Sequence, residues 1–345
     1  MKVKNKFNGI VNLVLILLLT GALVYAGDES RIGTAAGVQV LIPVGARELA
    51  MGGADIVFTN GVNAIYYNPA GLSNFEKSTA ATFSHISIFN DIGVNYLAIA
   101  TNMGSLGHLG FSIKALDIGD IPVTTVEDMN GTSGETFSPT FATVGLTYAN
   151  KLTNAIQVGL TAKMIYESIP RASASALAFD IGIQYQNLAG IEGVSFGVVA
   201  KNIGTSMEYG GTGLLDRYTT TDNKQRYLSK GVEPNQLPAS IEFGVAYNYK
   251  IVEKNDLIVV GNFQSNNVQN DETKFGLEYS YDNFVALRGG YLLMSNTDAK
   301  DQLYRFTLGA GLNYNLGGAT VSIDYAFRDS QYFDANNMFS LKVVF

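Results

Sequence analysis

The side chains that could carry out chemistry are sparse in this chain of 345 residues. It contains two histidines, His85 and His108, and no cysteine. Both histidines fall in segments of strand-like alternation, which favours structural roles over a shared metal ion. A serine–histidine–aspartate set is recognised by its geometry, and nothing in the sequence indicates one. We therefore predict a protein that is not an enzyme, with no catalytic residue, no metal ion and no cofactor.

Four acidic residues lie near or within a predicted surface loop: Asp117, Asp120, Glu127 and Asp128. Carboxylate oxygens are ligands that Ca²⁺ takes, so calcium binding by this loop is one interpretation. A solvated acidic loop is the favoured interpretation, because nothing else in the segment indicates a cation site. The acidic balance of the whole chain, with a net charge of −7, excludes the basic footprint that nucleic-acid binding needs.

The composition points to a membrane-embedded sheet. Hydrophobic residues make up 47% of the chain and charged residues only 15%, whereas soluble domains carry about 25% charged residues. Yet only one apolar run is long enough to resemble a membrane helix, and it lies at the start of the chain. Strands that alternate between lipid and lumen combine low charge with an absence of apolar runs. The composition therefore favours a β-barrel.

The first segment has the features of a secretory signal peptide. Lys2, Lys4 and Lys6 are followed by an apolar run from Ile10 to Leu19 and by Val24-Tyr25-Ala26. This pattern predicts cleavage after Ala26, with residues 1–26 as the signal peptide. An uncleaved anchor is the less favoured alternative because the apolar core is short. With no cysteine after the cut, the mature protein is not predicted to be a lipoprotein.

Alternation with a period of two begins near Lys77 and recurs to the end of the chain. Between Ala155 and Glu167, one face is apolar: Ile156, Val158, Leu160, Ala162, Met164 and Tyr166. The other face is small or polar, with Ile165 as an exception: Gln157, Gly159, Thr161, Lys163 and Glu167. A strand places these two sets on opposite sides of a sheet. Segments of about 10–14 residues are long enough to cross a membrane, for which about 9–11 residues suffice.

About fourteen such segments can be counted, and single-chain bacterial barrels have an even number of strands. They lie near 77–89, 92–102, 106–117, 138–149, 155–168, 174–187, 193–203, 238–250, 256–265, 272–281, 284–294, 303–315, 319–328 and 337–345. Short connections interleave with longer ones, of which 118–137 and 204–237 are the longest. Because periplasmic turns are short and outer loops long, both chain ends are predicted on the periplasmic side. The sequence thus predicts an all-β, transmembrane antiparallel barrel over residues 77–345.

The last strand ends on an aromatic residue. Four residues share its apolar face: Phe339, Leu341, Val343 and Phe345. This pattern resembles the signal that the outer-membrane barrel assembly machinery reads during insertion. We therefore predict that the assembly machinery and outer-membrane lipid are partners of the chain, and that its location is the cell outer membrane.

Residues 27–76 depart from the strand rhythm. A glycine turn lies over Gly45, Gly52 and Gly53, and a short helical turn begins near Asn63. Pro69 pushes Asn68 out of the helical region, and we expect Gly71 to take a positive φ. A compact piece of this length before a barrel predicts a small helical hatch, or plug, inside the lumen.

These two runs resemble the N-terminal signature of the FadL-like outer-membrane barrels, and more narrowly of the PorV/PorQ group. The resemblance extends by length, strand count and C-terminus over the mature chain, and implies a fourteen-stranded barrel with an N-terminal hatch over 27–76. The residues that carry it are the glycine turn, Gly45, Gly52 and Gly53, and the hatch motif, Asn63, Tyr66, Tyr67, Asn68, Pro69, Gly71 and Leu72.

Three functions remain open from the sequence. The PorV/PorQ resemblance implies binding or shuttling of secreted proteins in type IX secretion, with the translocon and cargo C-terminal domains as partners. The alternative is a FadL-like passive transporter of hydrophobic small molecules, which predicts an apolar pocket against the hatch and a lateral gap in the wall. A soluble periplasmic β-protein is the third interpretation, since soluble sandwiches also alternate.

Overall fold

The computed structural model describes residues 29–89 and 92–345, and the predicted signal peptide lies outside these ranges. Fourteen antiparallel strands form a closed barrel, in the order β1-β18-β17-β16-β15-β14-β13-β12-β9-β8-β7-β6-β3-β2, and β2 pairs again with β1. The predicted fold class, an all-β barrel of about fourteen strands with a hatch in its lumen, is confirmed. Among the described residues, no helix is long and apolar enough to cross a membrane.

The strands follow the predicted segments closely. Their bounds are β1 (Thr79–Phe89), β2 (Ile92–Asn102), β3 (His108–Asp117), β4 (Ile121–Pro122), β5 (Thr136–Phe137), β6 (Thr140–Lys151), β7 (Ile156–Ile169), β8 (Ala172–Tyr185), β9 (Val194–Gly204), β10 (Leu215–Thr219), β11 (Gln225–Ser229), β12 (Ser240–Val252), β13 (Asn255–Asn266), β14 (Glu272–Tyr281), β15 (Val285–Met294), β16 (Phe306–Asn315), β17 (Thr320–Arg328) and β18 (Asn336–Val344). Two short hairpins, β4–β5 and β10–β11, lie in the long loops outside the barrel sheet.

The helices from residue 29 onwards are all short. The α-helices are Ala46–Ala50 and Ala64–Tyr67. The 3₁₀ turns are Glu29–Arg31, Val38–Leu41, Gly61–Asn63, Pro69–Asn74, Gly104–Leu106, Leu188–Gly190 and Thr212–Leu214. Both α-helices, and the turns between residues 38 and 74, precede β1.

The barrel is apolar outside and polar inside, as the alternation predicts. On β8 the outward side chains of Leu177, Phe179 and Ile181 are 57%, 44% and 53% exposed, whereas the inward Asp180 and Gln184 are buried. The one exception predicted on the polar face of β7, Ile165, points inward and packs against the hatch and an outer loop. An apolar belt around a closed barrel is the surface that a bilayer requires. The chain therefore lies in the outer membrane.

Connections at the two ends of the barrel differ in length. The end that carries the C-terminus has short turns such as 152–155, 253–254 and 316–319, and we call it the periplasmic end. The long loops 118–139 and 205–239 lie at the opposite, outer end. Among the connections that the structure describes, two depart from this rule: β7 and β8 are joined at the outer end by residues 170 and 171 alone, and 186–193 is a longer connection at the periplasmic end.

The predicted hatch, described from residue 29 onwards, fills the lumen. Its apolar side chains form four clusters with inward-facing wall residues, so that the barrel has a packed core although its wall is polar inside. Val62, Ile65 and Leu72 pack against the wall at β2 and β6, for example. The hatch is therefore held by ordinary hydrophobic burial. Its exact bounds as a separate domain remain a prediction.

Candidate functional site

The hatch motif fits against glycines in the barrel wall. Asn68 is fully buried and extended, with a φ of −156°, so the helix Ala64–Tyr67 ends where Pro69 was predicted to end it. The Asn68 amide nitrogen donates to the carbonyls of Ile56 (2.8 Å) and Ile183 (3.2 Å), and its amide oxygen accepts from the Ala70 N–H (3.2 Å). One side chain thus joins two hatch segments to the wall.

Eight lumen-facing glycines allow this close approach. At each of these wall glycines, a Cβ would lie within 3.0 Å of a hatch atom: Gly110, Gly159, Gly182, Gly197, Gly244, Gly276, Gly290 and Gly309. They lie on eight different strands, so backbone and side-chain atoms of the hatch contact the wall around much of the barrel. The glycine-rich inner face that the sequence shows is therefore a docking surface for the hatch.

One local expectation is wrong. Gly45, Gly52 and Gly53 have positive φ angles of 78°, 70° and 69°, as a glycine turn requires, but Gly71 does not have a positive φ. Gly71 instead lies against the carbonyl of Thr59 and the Cβ of Ala64, where no side chain fits. A glycine is required at position 71 because the hatch segments pack closely there.

A buried ionic cluster fixes the helix Ala46–Ala50 to the wall. Arg47 donates to Glu278 of β14 at 2.9 and 3.1 Å and to Asp55 of the hatch at 2.9 Å. Glu278 also accepts from Arg288, which in turn donates to Asp324 at 2.7 Å. We call these five residues the hatch-wall cluster: Arg47, Asp55, Glu278, Arg288 and Asp324.

Burial and charge act on the two hatch members of this cluster. Burial acts to lower the pKa of Arg47, but the carboxylates of Glu278, Asp55 and Glu48 outweigh it and hold that pKa well above its usual value. Burial raises the pKa of Asp55, against the opposing effect of Arg47. Arg47 therefore remains charged, and removing it would leave Glu48 and Asp55 buried without an ion-pair partner, whereas Glu278 would keep Arg288.

The remaining motif residues connect the hatch internally. Asn63 donates to both carboxylate oxygens of Glu48 at 3.0 Å. The rings of Tyr66 and Tyr67 meet edge to face, with centroids 4.9 Å apart, and the Tyr66 hydroxyl donates to the Val40 carbonyl at 3.0 Å. Leu72 is fully buried. The structure thus brings the predicted hatch residues together, although no residue of the motif resembles a catalytic group.

The hatch lies between two cavities of the lumen. The outer cavity has a volume of about 330 Å³ and lies between the hatch and the outer loops. The periplasmic cavity has a volume of about 480 Å³ and is lined largely by asparagines and charged groups, among them Asn60, Asn248 and Lys342. Arg47 and Glu48 line the periplasmic cavity, whereas Leu49, Gly52 and Gly53 line the outer one. One segment of the hatch therefore separates them.

The floor of the outer cavity is apolar and comes from the hatch: Val40, Leu41, Pro43, Leu49, Tyr66 and Tyr67. Its rim adds Leu292, Met294, Leu303 and Tyr304, and its wall adds lysines, arginines and glutamates. An apolar pocket against the hatch, which the small-molecule hypothesis predicts, is present. The sequence analysis did not predict that charged side chains would cluster on the remaining wall of this cavity.

The wall has no lateral gap between the described strands. Each strand of the barrel is hydrogen-bonded to both of its neighbours. The register is interrupted beside Phe179 on β8, opposite Asn202 of β9, which has a φ of 57°, but pairing resumes on both sides of this bulge. The lateral gap expected for small-molecule transport is therefore absent from these residues.

The other predicted residues lie away from the cavities. Phe339, Leu341 and Phe345 are about half exposed on the outer face of β18, and their role as an insertion signal remains a prediction. The side chain of His85, towards the outer end of the barrel, is hydrogen-bonded to Asn95. The side chain of His108, at the periplasmic end, is hydrogen-bonded to the carbonyl of Phe75. In the loop 118–139, Asp128 accepts from the backbone of Thr132 and Ser133, which accounts for its position without a cation.

Comparisons with known proteins support the fold. No protein-family model and no curated protein matches the chain. Among solved structures, the monoaromatic hydrocarbon channel CymD has a TM-score of 0.58 at 13% identity over 88% of this chain and 98% of that chain. The toluene transporter TodX of P. putida has a TM-score of 0.55 at 12% identity, over 87% and 97%. A FadL homologue of Pseudomonas aeruginosa has a TM-score of 0.53 at 11% identity, over 88% and 98%. The chain has the FadL-like fold, whereas nothing distinguishes the PorV/PorQ group within it.

Proposed function

We propose that this barrel is a passive channel through which hydrophobic small molecules cross the outer membrane. The observation that carries the proposal is the outer cavity, whose floor is made by apolar side chains of the hatch such as Leu41, Pro43 and Leu49. Its volume lies at the lower end of the usual range for ligand pockets, about 300–1,000 Å³. Two similar structures carry names that refer to toluene and monoaromatic hydrocarbons, which supports a small apolar cargo.

The closed wall indicates which way the cargo leaves the cavity. With no opening between the described strands, the remaining path runs past the hatch into the periplasmic cavity. The hatch must then move away from the wall, at least around Leu49–Gly53. In the described structure the hatch-wall cluster holds it in the closed position.

Uptake by cells tests the channel. A Gram-negative host without a channel of this type would express the full chain, and the initial uptake of labelled toluene would be measured at low concentration. We expect uptake several-fold above that of cells carrying an empty vector. Uptake at the vector level, with the folded barrel shown by its heat-dependent gel shift, would refute the proposal.

A reversible disulfide between hatch and wall tests whether the cargo passes the hatch. The Ser340 hydroxyl of β18 accepts from the Ala46 N–H of the hatch at 2.7 Å, so Ala46→Cys with Ser340→Cys places two thiols at this contact in a chain that has no cysteine. Oxidation should reduce uptake to the vector level, and dithiothreitol should restore it. The two single-cysteine variants serve as controls. Undiminished uptake by the oxidised double variant would exclude the path past the hatch.

The role in type IX secretion that the PorV/PorQ resemblance implies remains a prediction. It is tested separately, by asking whether cargo C-terminal domains or translocon components co-purify with the barrel from intact membranes. A barrel that binds such proteins and does not raise toluene uptake would favour secretion over the proposal made here.

A further inference from the structure

We propose that the outer cavity binds a compact monoanion with an aromatic body, such as an aromatic carboxylate, and that Arg328 holds its charged group. This inference rests on the proposed function, because it names the ligand class for the same cavity. It differs from the cargo of the similar structures, whose names refer to uncharged hydrocarbons.

Among the described residues that line the outer cavity, one cation has no carboxylate partner. Three lysines that line it are each ion-paired: Lys163 with Asp180 at 2.7 Å, Lys201 with Glu242 at 2.9 Å and Lys274 with Glu272 at 3.0 Å. Arg305 lies 3.8 Å from Asp329. Within residues 29–89 and 92–345, Arg328 of β17 forms no ion pair. The cavity is therefore complementary to a single negative charge.

The guanidinium of Arg328 is positioned by uncharged groups. Its Nε and one Nη donate to the Asn336 amide oxygen at 3.0 and 2.6 Å, and its Cζ lies over the Tyr304 ring, 3.7 Å from the ring centre. The Asn336 amide nitrogen donates to the Ile88 carbonyl, which fixes the amide so that its oxygen faces Arg328. An arginine offers five N–H donors, so donors remain for a carboxylate. The site is thus preorganised for an anion.

A second donor lines the same cavity. The side chain of Tyr67 is only 3% exposed, and its hydroxyl has no hydrogen-bond partner among the described residues. A buried hydroxyl without a partner costs free energy, which a ligand acceptor would recover. Tyr67 belongs to the hatch and Arg328 to the wall, so a ligand that binds both would connect the two parts that must separate during passage.

The shape and lining of the cavity favour a ring over a long chain. Its volume of about 330 Å³ is small, and the rings of Tyr66, Tyr67 and Tyr304 line it together with Pro43. Aromatic rings prefer offset or edge-to-face contacts with other rings, and such pairs gain affinity beyond the area that they bury. A one- or two-ring body therefore matches these walls.

The experiment uses the purified full chain in detergent and compares three probes by equilibrium binding: 2-naphthoate, its neutral methyl ester and palmitate. We expect 2-naphthoate to bind most tightly. Arg328→Gln should weaken 2-naphthoate about 10- to 100-fold and leave the ester nearly unchanged, because only the carboxylate contacts the guanidinium. Arg226→Gln, in the exposed hairpin strand β11, is the matched control and should change the affinity for neither 2-naphthoate nor the ester. Tyr67→Phe should weaken 2-naphthoate about 2- to 10-fold.

Four results would overturn the inference: no binding of 2-naphthoate, equal loss of affinity for naphthoate and ester in Arg328→Gln, no loss of affinity for naphthoate in that variant, or palmitate binding more tightly than 2-naphthoate. Folding of each variant is checked by the heat-dependent gel shift. The outcome is separable from the proposed function, because binding in detergent requires no passage. Toluene uptake without naphthoate binding would refute this inference alone, and naphthoate binding without uptake would refute the channel alone.

Discussion

Asn68 of the hatch lies so close to Gly182 of β8 that a Cβ on Gly182 would collide with the Asn68 amide oxygen. The same amide joins the hatch to the wall by hydrogen bonds to Ile56 and Ile183. Hatch and wall therefore form one packed unit at this point, and a substitution on either side disturbs the packing of the other.

We predict that Gly182→Ala destabilises the barrel by about 1–3 kcal/mol, the usual cost of overpacking a well-packed core. The added methyl must displace Asn68 and its hydrogen bonds. The measurement is a guanidinium titration followed by the heat-dependent gel shift. Gly231→Ala, at an outer-loop glycine with no neighbouring atom within 4 Å, is the matched control and should leave the midpoint unchanged. Equal stability of the two variants would contradict the packing described here.

Removing the charge of Arg47 should release the hatch. Arg47→Gln leaves the Asp55 carboxylate buried without a cation and leaves Glu278 paired with Arg288 alone, and breaking a buried ion pair on one side costs about 3–5 kcal/mol. We expect a lower unfolding midpoint and faster proteolysis of the hatch in the otherwise intact barrel. The double variant Arg47→Gln with Asp55→Asn should recover part of the loss, because the carboxylate that has lost its cation is removed. A single variant as stable as the native chain would show that the cluster does not hold the hatch.

A charge on the outer surface of β8 should be tolerated only outside the apolar belt. We expect Ile181→Arg to cost about 2–4 kcal/mol if Ile181 lies near the middle of the bilayer, as its place among the outward residues Leu177–Ile183 indicates. Ile191→Arg, in the periplasmic connection 186–193, is the control with the same chemistry at an exposed position. Folding into lipid vesicles, scored by the gel shift, is the measurement. Equal folding of both variants would argue against the placement of the belt.

The side chain of Phe345 should affect assembly of the barrel in cells more than its stability against unfolding. Phe345 pairs through its backbone with Thr79, so Phe345→Ser keeps these hydrogen bonds and removes only an exposed ring. We expect less folded barrel in the outer membrane of cells, with an unfolding midpoint close to that of the native chain. Phe333→Ser, in an outer loop, is the control for loss of an exposed phenylalanine. Undiminished assembly of Phe345→Ser would contradict the predicted insertion signal.

Much of the barrel could be predicted because each strand faces two different solvents. Along β7, Ile156, Leu160 and Met164 face lipid, whereas Gln157, Thr161 and Lys163 face the lumen. Apolar and polar residues therefore alternate in the sequence with a period of two. The hatch turn could be predicted for an equally local reason, since Pro69 restricts Asn68 whatever surrounds them. The expectation for Gly71 failed because its glycine is required by a contact with Thr59, which backbone propensity does not report.

The amino-acid sequence by itself determined the class of the protein, the number of strands, the inward and outward faces and the end of the hatch helix. These depend on interactions between neighbours along the chain or on the choice between two solvents. The tertiary structure decided that wall glycines receive the hatch and that the wall is closed. It also decided that Arg328 has no carboxylate partner in the described part of the chain, whereas each cavity lysine has one. Such relationships join residues from distant strands, and their partners are set by how the barrel closes around the hatch rather than by spacing along the chain.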